Sequence, residues 1–229
     1  MKTPAICIGV RIASLAIASD ARPLAIGLCA WDVSSMRYIS SYFGVIDVND
    51  PETKEKFFVD PSTLDWWEGH HAASPDREAY RACWNGGRTM REIMTEVVDF
   101  VEGFKEHERV LICKPPAFDM PILSNAFAFL GNFRGMFAKP TLVDSGHTIE
   151  RGLETLGFAA EGSLEPNLYS FGQSFVGHHP RFESAKIAYT AARYYHLLHV
   201  LKKHGYERAV VTHEKMQTGD YDGITGLGA

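Results

Sequence analysis

The chain has 229 residues, a net charge of −5 and a pI of about 6.1, with 45% hydrophobic and 22% charged residues. That composition excludes a disordered chain or a long coiled coil, and the length suits one domain with a sizeable core. The acidic balance excludes coating of nucleic acid by bulk charge, so any nucleic-acid contact must be local, a groove or a pocket. No run approaches the roughly 18 apolar residues that span a bilayer. The start, Met1-Lys2-Thr3-Pro4, has no secretory pattern. The expectation is a cytoplasmic protein with no membrane partner. Cys7, Cys29, Cys83 and Cys113 form no CxxC pair, and three of them lie in apolar runs. They are predicted to be reduced core residues.

In chain order, residues 5–8 are a short apolar run that predicts a strand, and a second apolar segment covers 12–18. Asp20, Arg22 and Pro23 supply turn chemistry. Residues 24–31 and 37–48 predict a second and a third strand, closed by Asn49-Asp50-Pro51, so three antiparallel strands open the domain. Ser62 is the expected N-cap of a short helix carrying Trp66 and Trp67. The pair His70-His71 reads as a polar loop. Met90, Ile93, Met94, Val97, Val98, Val101 and Phe104 recur at helical spacing, which predicts an amphipathic helix.

Residues 109–113 predict a strand broken by Pro115-Pro116, followed by a helix over 119–130 with Pro121 in its first turn. A strand at 141–143 and a helix at 147–156, ended by Gly157, come next. Residues 162–180 are rich in Gly, Ser, Pro and Asn and read as a long loop. A strong helix covers 182–204 with Ile187, Ala188, Ala191, Ala192, Tyr195, Leu198 and Leu201 on its buried face. The helices at 90–104 and 182–201 are expected to be the two longest. The end reads as a strand at 209–212 and a Gly-rich tail. No repeat or linker marks a second domain.

Two segments carry chemistry. Asp119 opens a helix directly after a strand, a place that can expose a carboxylate in a cleft; taken alone, it reads as an N-cap residue worth about 1 kcal/mol. In Gly177-His178-His179-Pro180-Arg181-Phe182-Glu183, a loop His precedes a first-turn carboxylate by five positions. A fixed carboxylate could hold a metal while the loop His acts as general base. Taken alone, Glu183 reads as a first-turn acid favoured by the helix dipole.

Together these segments resemble the DEDDh 3′–5′ exonucleases, which have a ribonuclease-H-like fold, and in particular the small bacteriophage exonucleases and their exoribonuclease relatives. Ser62-Thr63-Leu64-Asp65-Trp66-Trp67 is similar to the Ser-Thr-Ile-x-Trp-Trp segment of that branch. Phe118-Asp119-Met120-Pro121-Ile122-Leu123 is similar to its Phe-Asp-x-Pro-Ile-Leu motif. His178 and Glu183 stand at the spacing of its His-x4-Asp motif, with Glu in place of Asp. The resemblance implies a mixed α/β sheet of about five strands with helices on both faces, formed by residues 1–205, with 206–229 packing on it or extending from it. It also implies Asp119, His178 and Glu183 as catalytic positions. Trp66 and Trp67 are candidate nucleic-acid-binding residues because an aromatic ring can stack a base, while adjacent tryptophans on a short helix more often put one ring in the core and one on the surface.

The resemblance breaks at the first motif. The family carries a metal-binding Asp-x-Glu pair on its first strand, and Cys7-Ile8-Gly9-Val10-Arg11 places Gly9 and Arg11 there. Asp20 and Asp32 are the other candidates for the missing acid, but Asp20 sits in a turn with no Asp-x-Glu neighbour. Losing two carboxylates and gaining a guanidinium changes the local charge by about three units, against a reaction that needs several anionic oxygens around two cations.

Arg11 is therefore expected to contact Asp119, Glu183 or both, with no metal bound through Asp119 or Glu183 and no cofactor. The expected function is an inactive exonuclease-like protein that binds a single-stranded nucleic-acid end, a nucleotide or a protein. Two alternatives stand beside it. One is an active Mg²⁺- or Mn²⁺-dependent 3′–5′ exonuclease with a rearranged site. The other is a phage-type protein-interaction or inhibitor module on a nuclease scaffold.

Overall fold

A computed structural model describes residues 4–73, 77–84, 86–131, 142–158, 178–220 and 224. Five strands form one mixed sheet: β1 (Ile6–Ser14), β2 (Pro23–Asp32), β3 (Tyr38–Val45), β4 (Arg109–Cys113) and β5 (Leu142–Ser145), in the order β3-β2-β1-β4-β5. β1, β2 and β3 are antiparallel, while β4 runs parallel to β1 and β5 parallel to β4. The two apolar runs expected near the start are one strand: β1 continues through Gly9 and Arg11 to Ser14. Its central place explains this, because a strand buried on both faces has no alternation to mark its extent.

The helices are α1 (Pro61–Ala73), α2 (Arg77–Trp84), α3 (Met90–Glu102), α4 (Pro116–Phe129), α5 (Gly146–Thr155), α6 (Pro180–His204) and α7 (Tyr206–Thr218). On one face of the sheet, Ile8, Val10 and Ile12 pack with Ile93, Val97, Ile122 and Leu123 from α3 and α4. On the other, Cys7 and Ile112 pack with Ala185, Ala188 and Leu197 of α6 and Leu153 of α5. Burial on both faces of one sheet supplies the core. α3 is held at its start by a capping box, in which Thr89 accepts from the Glu92 N–H and Glu92 from the Thr89 N–H.

Several expectations need correction. Residues 209–212 lie in helix α7, not in a strand: Ala209, Thr212, His213 and Met216 form a buried face at helical spacing. α1 is capped by Asp60 rather than Ser62, since Asp60 accepts from the Ser62 N–H at 2.9 Å. The backbone at His70 and His71 is helical. α6, at 25 residues, is the longest described helix, but α4 at 14 residues exceeds α3 at 13. The loop expected at 162–180 lies, up to residue 177, outside the described residues. The four cysteines are buried and unpaired. No described helix is long and apolar enough to cross a membrane.

Candidate functional site

Because β1 and β4 are parallel, with Val10 opposite Cys113, both strands end at the same edge of the sheet. Pro116 opens α4 three residues after β4, a position where its missing N–H costs nothing. Asp119 therefore lies in the first turn of α4, beside the end of β1. Its Oδ1 accepts from the Ile12 backbone N–H at 2.9 Å. Its Oδ2 lies 3.5 Å from Arg11 Nη1, an ion pair too long for a well-aligned hydrogen bond. Asp119 is fully buried, and among the described residues Oδ2 has no hydrogen-bond donor. Burial pushes its pKa up to about 6, while Arg11 and the Ile12 N–H oppose that rise. Arg11 Nη1 also donates to the Lys114 carbonyl at 2.9 Å, and the guanidinium lies 5.6 Å from the Phe118 ring centre.

Gly9 does not enter this cleft. A Cβ there would stand 2.0 Å from the Ser184 carbonyl oxygen and 2.8 Å from the Ala188 nitrogen. One at Gly27, on the neighbouring strand, would stand 2.2 Å from the Pro180 carbonyl oxygen. These glycines let α6 lie with its backbone directly against β1 and β2. A carboxylate at position 9 has no room. The same-face positions that line the cleft are Arg11 and Ala13.

α6 supplies the third wall. His179 caps it by accepting from the Arg181 N–H, and burial, with Arg181 adding to it, lowers the His179 pKa to about 4. His178 is exposed, adopts a left-handed φ of 58°, and sets its ring edge-on to Trp66 at 5.5 Å. Glu183 is half-buried in the first turn and lies in the same region, but among the described residues no cation is within 4.0 Å of its carboxylate, so Arg11 pairs with Asp119 and not with Glu183.

Two pockets meet at Arg11 and His178. One, of about 450 Å³, is lined by Trp66, Trp67, Phe118, Ile17, Ser62 and Thr63 among others. The other, of about 210 Å³, carries Glu183, Lys114, His147, Glu150 and Lys186. Trp67 is buried and donates from Nε1 to the Ser14 carbonyl at 3.0 Å, whereas Trp66 is 38% exposed at the rim. Sequence reasoning missed Ala13, Phe118 and Lys114 as parts of this site. Phe118 belongs to the Phe-Asp-x-Pro segment, but nothing in the sequence shows that its ring meets Arg11.

A pair of divalent cations does not fit this donor set. One oxygen of Asp119 is taken by a backbone N–H and the other faces a guanidinium. Among the described residues, no three His, Cys, Asp or Glu side chains converge.

A family model described as the Rv2179c-like 3′–5′ exoribonuclease domain matches residues 12–209. In fold the chain is similar to product-bound exonuclease I, with a TM-score of 0.54 and 11% identity over 93% of this chain and 48% of that one. It is also similar to E. coli exonuclease I in complex with a dT13 oligonucleotide, with a TM-score of 0.53 and 11% identity over 95% and 43%. The chain thus spans about half the length of these exonuclease I structures. The nuclease domain of 3′hExo, a DEDDh family member bound to rAMP, aligns with a TM-score of 0.47 and 10% identity over 89% and 94%. No curated protein sequence matches the chain. At these identities the likeness is one of fold, the ribonuclease-H-like sheet with helices on both faces.

Proposed function

The chain belongs to the Rv2179c-like 3′–5′ exoribonuclease domain family, and from that premise we propose that it binds a single-stranded nucleic-acid end without hydrolysing it. The observation that carries this reading is the Arg11–Asp119 pair at 3.5 Å. A divalent metal would supply two things here: charge neutralisation of a phosphodiester and activation of a water. Arg11 can supply the first and not the second. A guanidinium stays protonated at any working pH, so it neither lowers the pKa of a bound water nor accepts a proton.

The cleft keeps the means to hold a strand end. Trp66 presents a ring at the rim, and stacking of a base on an aromatic ring is worth roughly 1–3 kcal/mol. The test is incubation of the purified protein with 3′-labelled single-stranded DNA and RNA in Mg²⁺ and in Mn²⁺. The labelled strands should remain intact while still binding.

The presence of Asp119, Glu183 and His178 around one cleft favours a second reading, an exonuclease with a rearranged site. Cleavage that disappears in Asp119→Asn would establish it and overturn the first.

A further inference from the structure

The way Arg11 is held leaves half of it unused. Nη1 is fixed by the Lys114 carbonyl and by Asp119, while Nε and Nη2 have no partner among the described residues. The side chain is 26% exposed, at the junction of the two pockets. A guanidinium clamped at one nitrogen keeps its Nε–Nη2 edge in one orientation, and that edge matches two oxygens of a phosphate.

The surroundings select the anion. No Asp or Glu is among the described residues lining the larger pocket, whereas the smaller one contains Glu150 and Glu183. The larger pocket offers an aromatic wall, Trp66 and Phe118, with Ser62, Thr63 and His178 beside it. Its volume of about 450 Å³ falls within the roughly 300–1,000 Å³ of small-molecule sites. An apolar aromatic chamber ending in an oriented cation suits a ligand with a flat ring at one end and a phosphate at the other.

We propose that the larger pocket is a metal-independent receptor for a nucleoside 3′-monophosphate, free or at the end of a single strand, with the phosphate on the free edge of Arg11 and the base against Trp66. This rests on the reading that the cleft binds nucleic-acid ends. A phosphate monoester carries about −1.5 to −2 charges near pH 7, where a terminal hydroxyl carries none. The receptor therefore prefers a phosphorylated 3′ end to a hydroxyl end and needs no divalent cation.

The experiment is calorimetric titration of the whole chain in EDTA. The ligands are a short oligoadenylate ending in 3′-phosphate, the same strand ending in 3′-hydroxyl, adenosine 3′-monophosphate, adenosine and inorganic phosphate. The phosphorylated strand should bind at least tenfold more tightly than the hydroxyl strand. Adenosine 3′-monophosphate should bind more tightly than adenosine or phosphate alone if the free nucleotide is the source; if only the strand binds, the strand end is. Either result supports the receptor.

Arg11→Lys keeps the charge but not the two-nitrogen edge. It should weaken the 3′-phosphate strand more than the hydroxyl strand and so remove most of the phosphate preference. Trp66→Ala should weaken both strands together. Equal affinity for the two strands, an unchanged preference in Arg11→Lys, or binding that requires Mg²⁺ overturns the proposal. Cleavage of the hydroxyl strand in Mg²⁺ or Mn²⁺ overturns the non-hydrolytic reading instead, leaving the receptor to be judged by the EDTA titration.

Discussion

Arg11 and Asp119 meet as a partly exposed cation on a fully buried anion, 3.5 Å apart, with the strand that carries Arg11 also donating the Ile12 N–H to the same carboxylate. Side chain and main chain of adjacent residues thus share one acid. Among the described residues the buried partner has no other cation, so the pair is asymmetric: Asp119 depends on Arg11 more than Arg11 depends on Asp119.

Arg11→Ala should therefore destabilise the fold in a pH-dependent way. Removing one partner of a buried pair costs about 3–5 kcal/mol, and partial exposure of Arg11 brings the expected loss to about 2–3 kcal/mol at pH 7.5. At pH 5, with Asp119 protonated, most of that loss should disappear. Urea unfolding at both values checks this; an equal loss at both would show that Arg11 does not act through Asp119.

The carboxyl itself sets a second pH dependence. Its folded pKa, about 6, lies above the ordinary value of 3.8. A raised pKa means that the group's contribution is fully present below about 3.8 and is lost as pH rises through about 6. The difference corresponds to about 3 kcal/mol. Asp119→Asn should remove this component, so the variant should gain stability relative to the parent as pH rises from 4 to 7. A constant difference across that range would show that Asp119 is not the titrating group.

The sheet decides where carboxylates can be put back. Gly9→Asp should fail to fold or lose more than about 3 kcal/mol, because the new Cβ meets the Ser184 carbonyl. Arg11→Asp combined with Ala13→Glu places both acids in the cleft instead. That double variant should show a Mn²⁺-dependent rise in melting temperature that the parent lacks. Its absence would show that positions 11 and 13 do not form a metal site with Asp119.

The adjacent tryptophans should separate by assay. Trp67→Phe loses the bond to the Ser14 carbonyl and should cost about 1–2 kcal/mol of stability. Trp66→Phe should change stability by less than about 0.5 kcal/mol. Strand binding should quench Trp66 fluorescence in the Trp67→Phe background; an unchanged signal would place the strand elsewhere.

Much of this was legible in the residues. The three opening strands followed from apolar runs separated by turn chemistry, and the α3 face and the first half of the α6 face followed from helical spacing; further along α6 the buried positions are Leu197 and Val200 rather than the expected Leu198 and Leu201. The Trp66-Trp67 and Phe118-Asp119 segments pointed to one cleft, and Arg11 to its partner there. What failed has a physical cause. β1 was read as two pieces because a strand covered on both faces shows no period of two. The tight approach of α6 at Gly9 was hidden because close approach of two backbones leaves no mark beyond the glycine itself. The helical end of the chain was hidden by Val210, Val211 and Thr212, β-branched residues in a helix whose buried face, Ala209, Thr212, His213 and Met216, overrides their preference.

The contact between α6 and the sheet is made by main chain at Gly9 and Gly27, so the span between the end of β1 and the first turn of α6 is fixed before any ligand arrives. Side-chain rotamers can trim the cleft but cannot widen it. Entry is then a matter of diffusion and fit, with little ordering left to do, and differences in affinity among ligands should reside in how long each one stays.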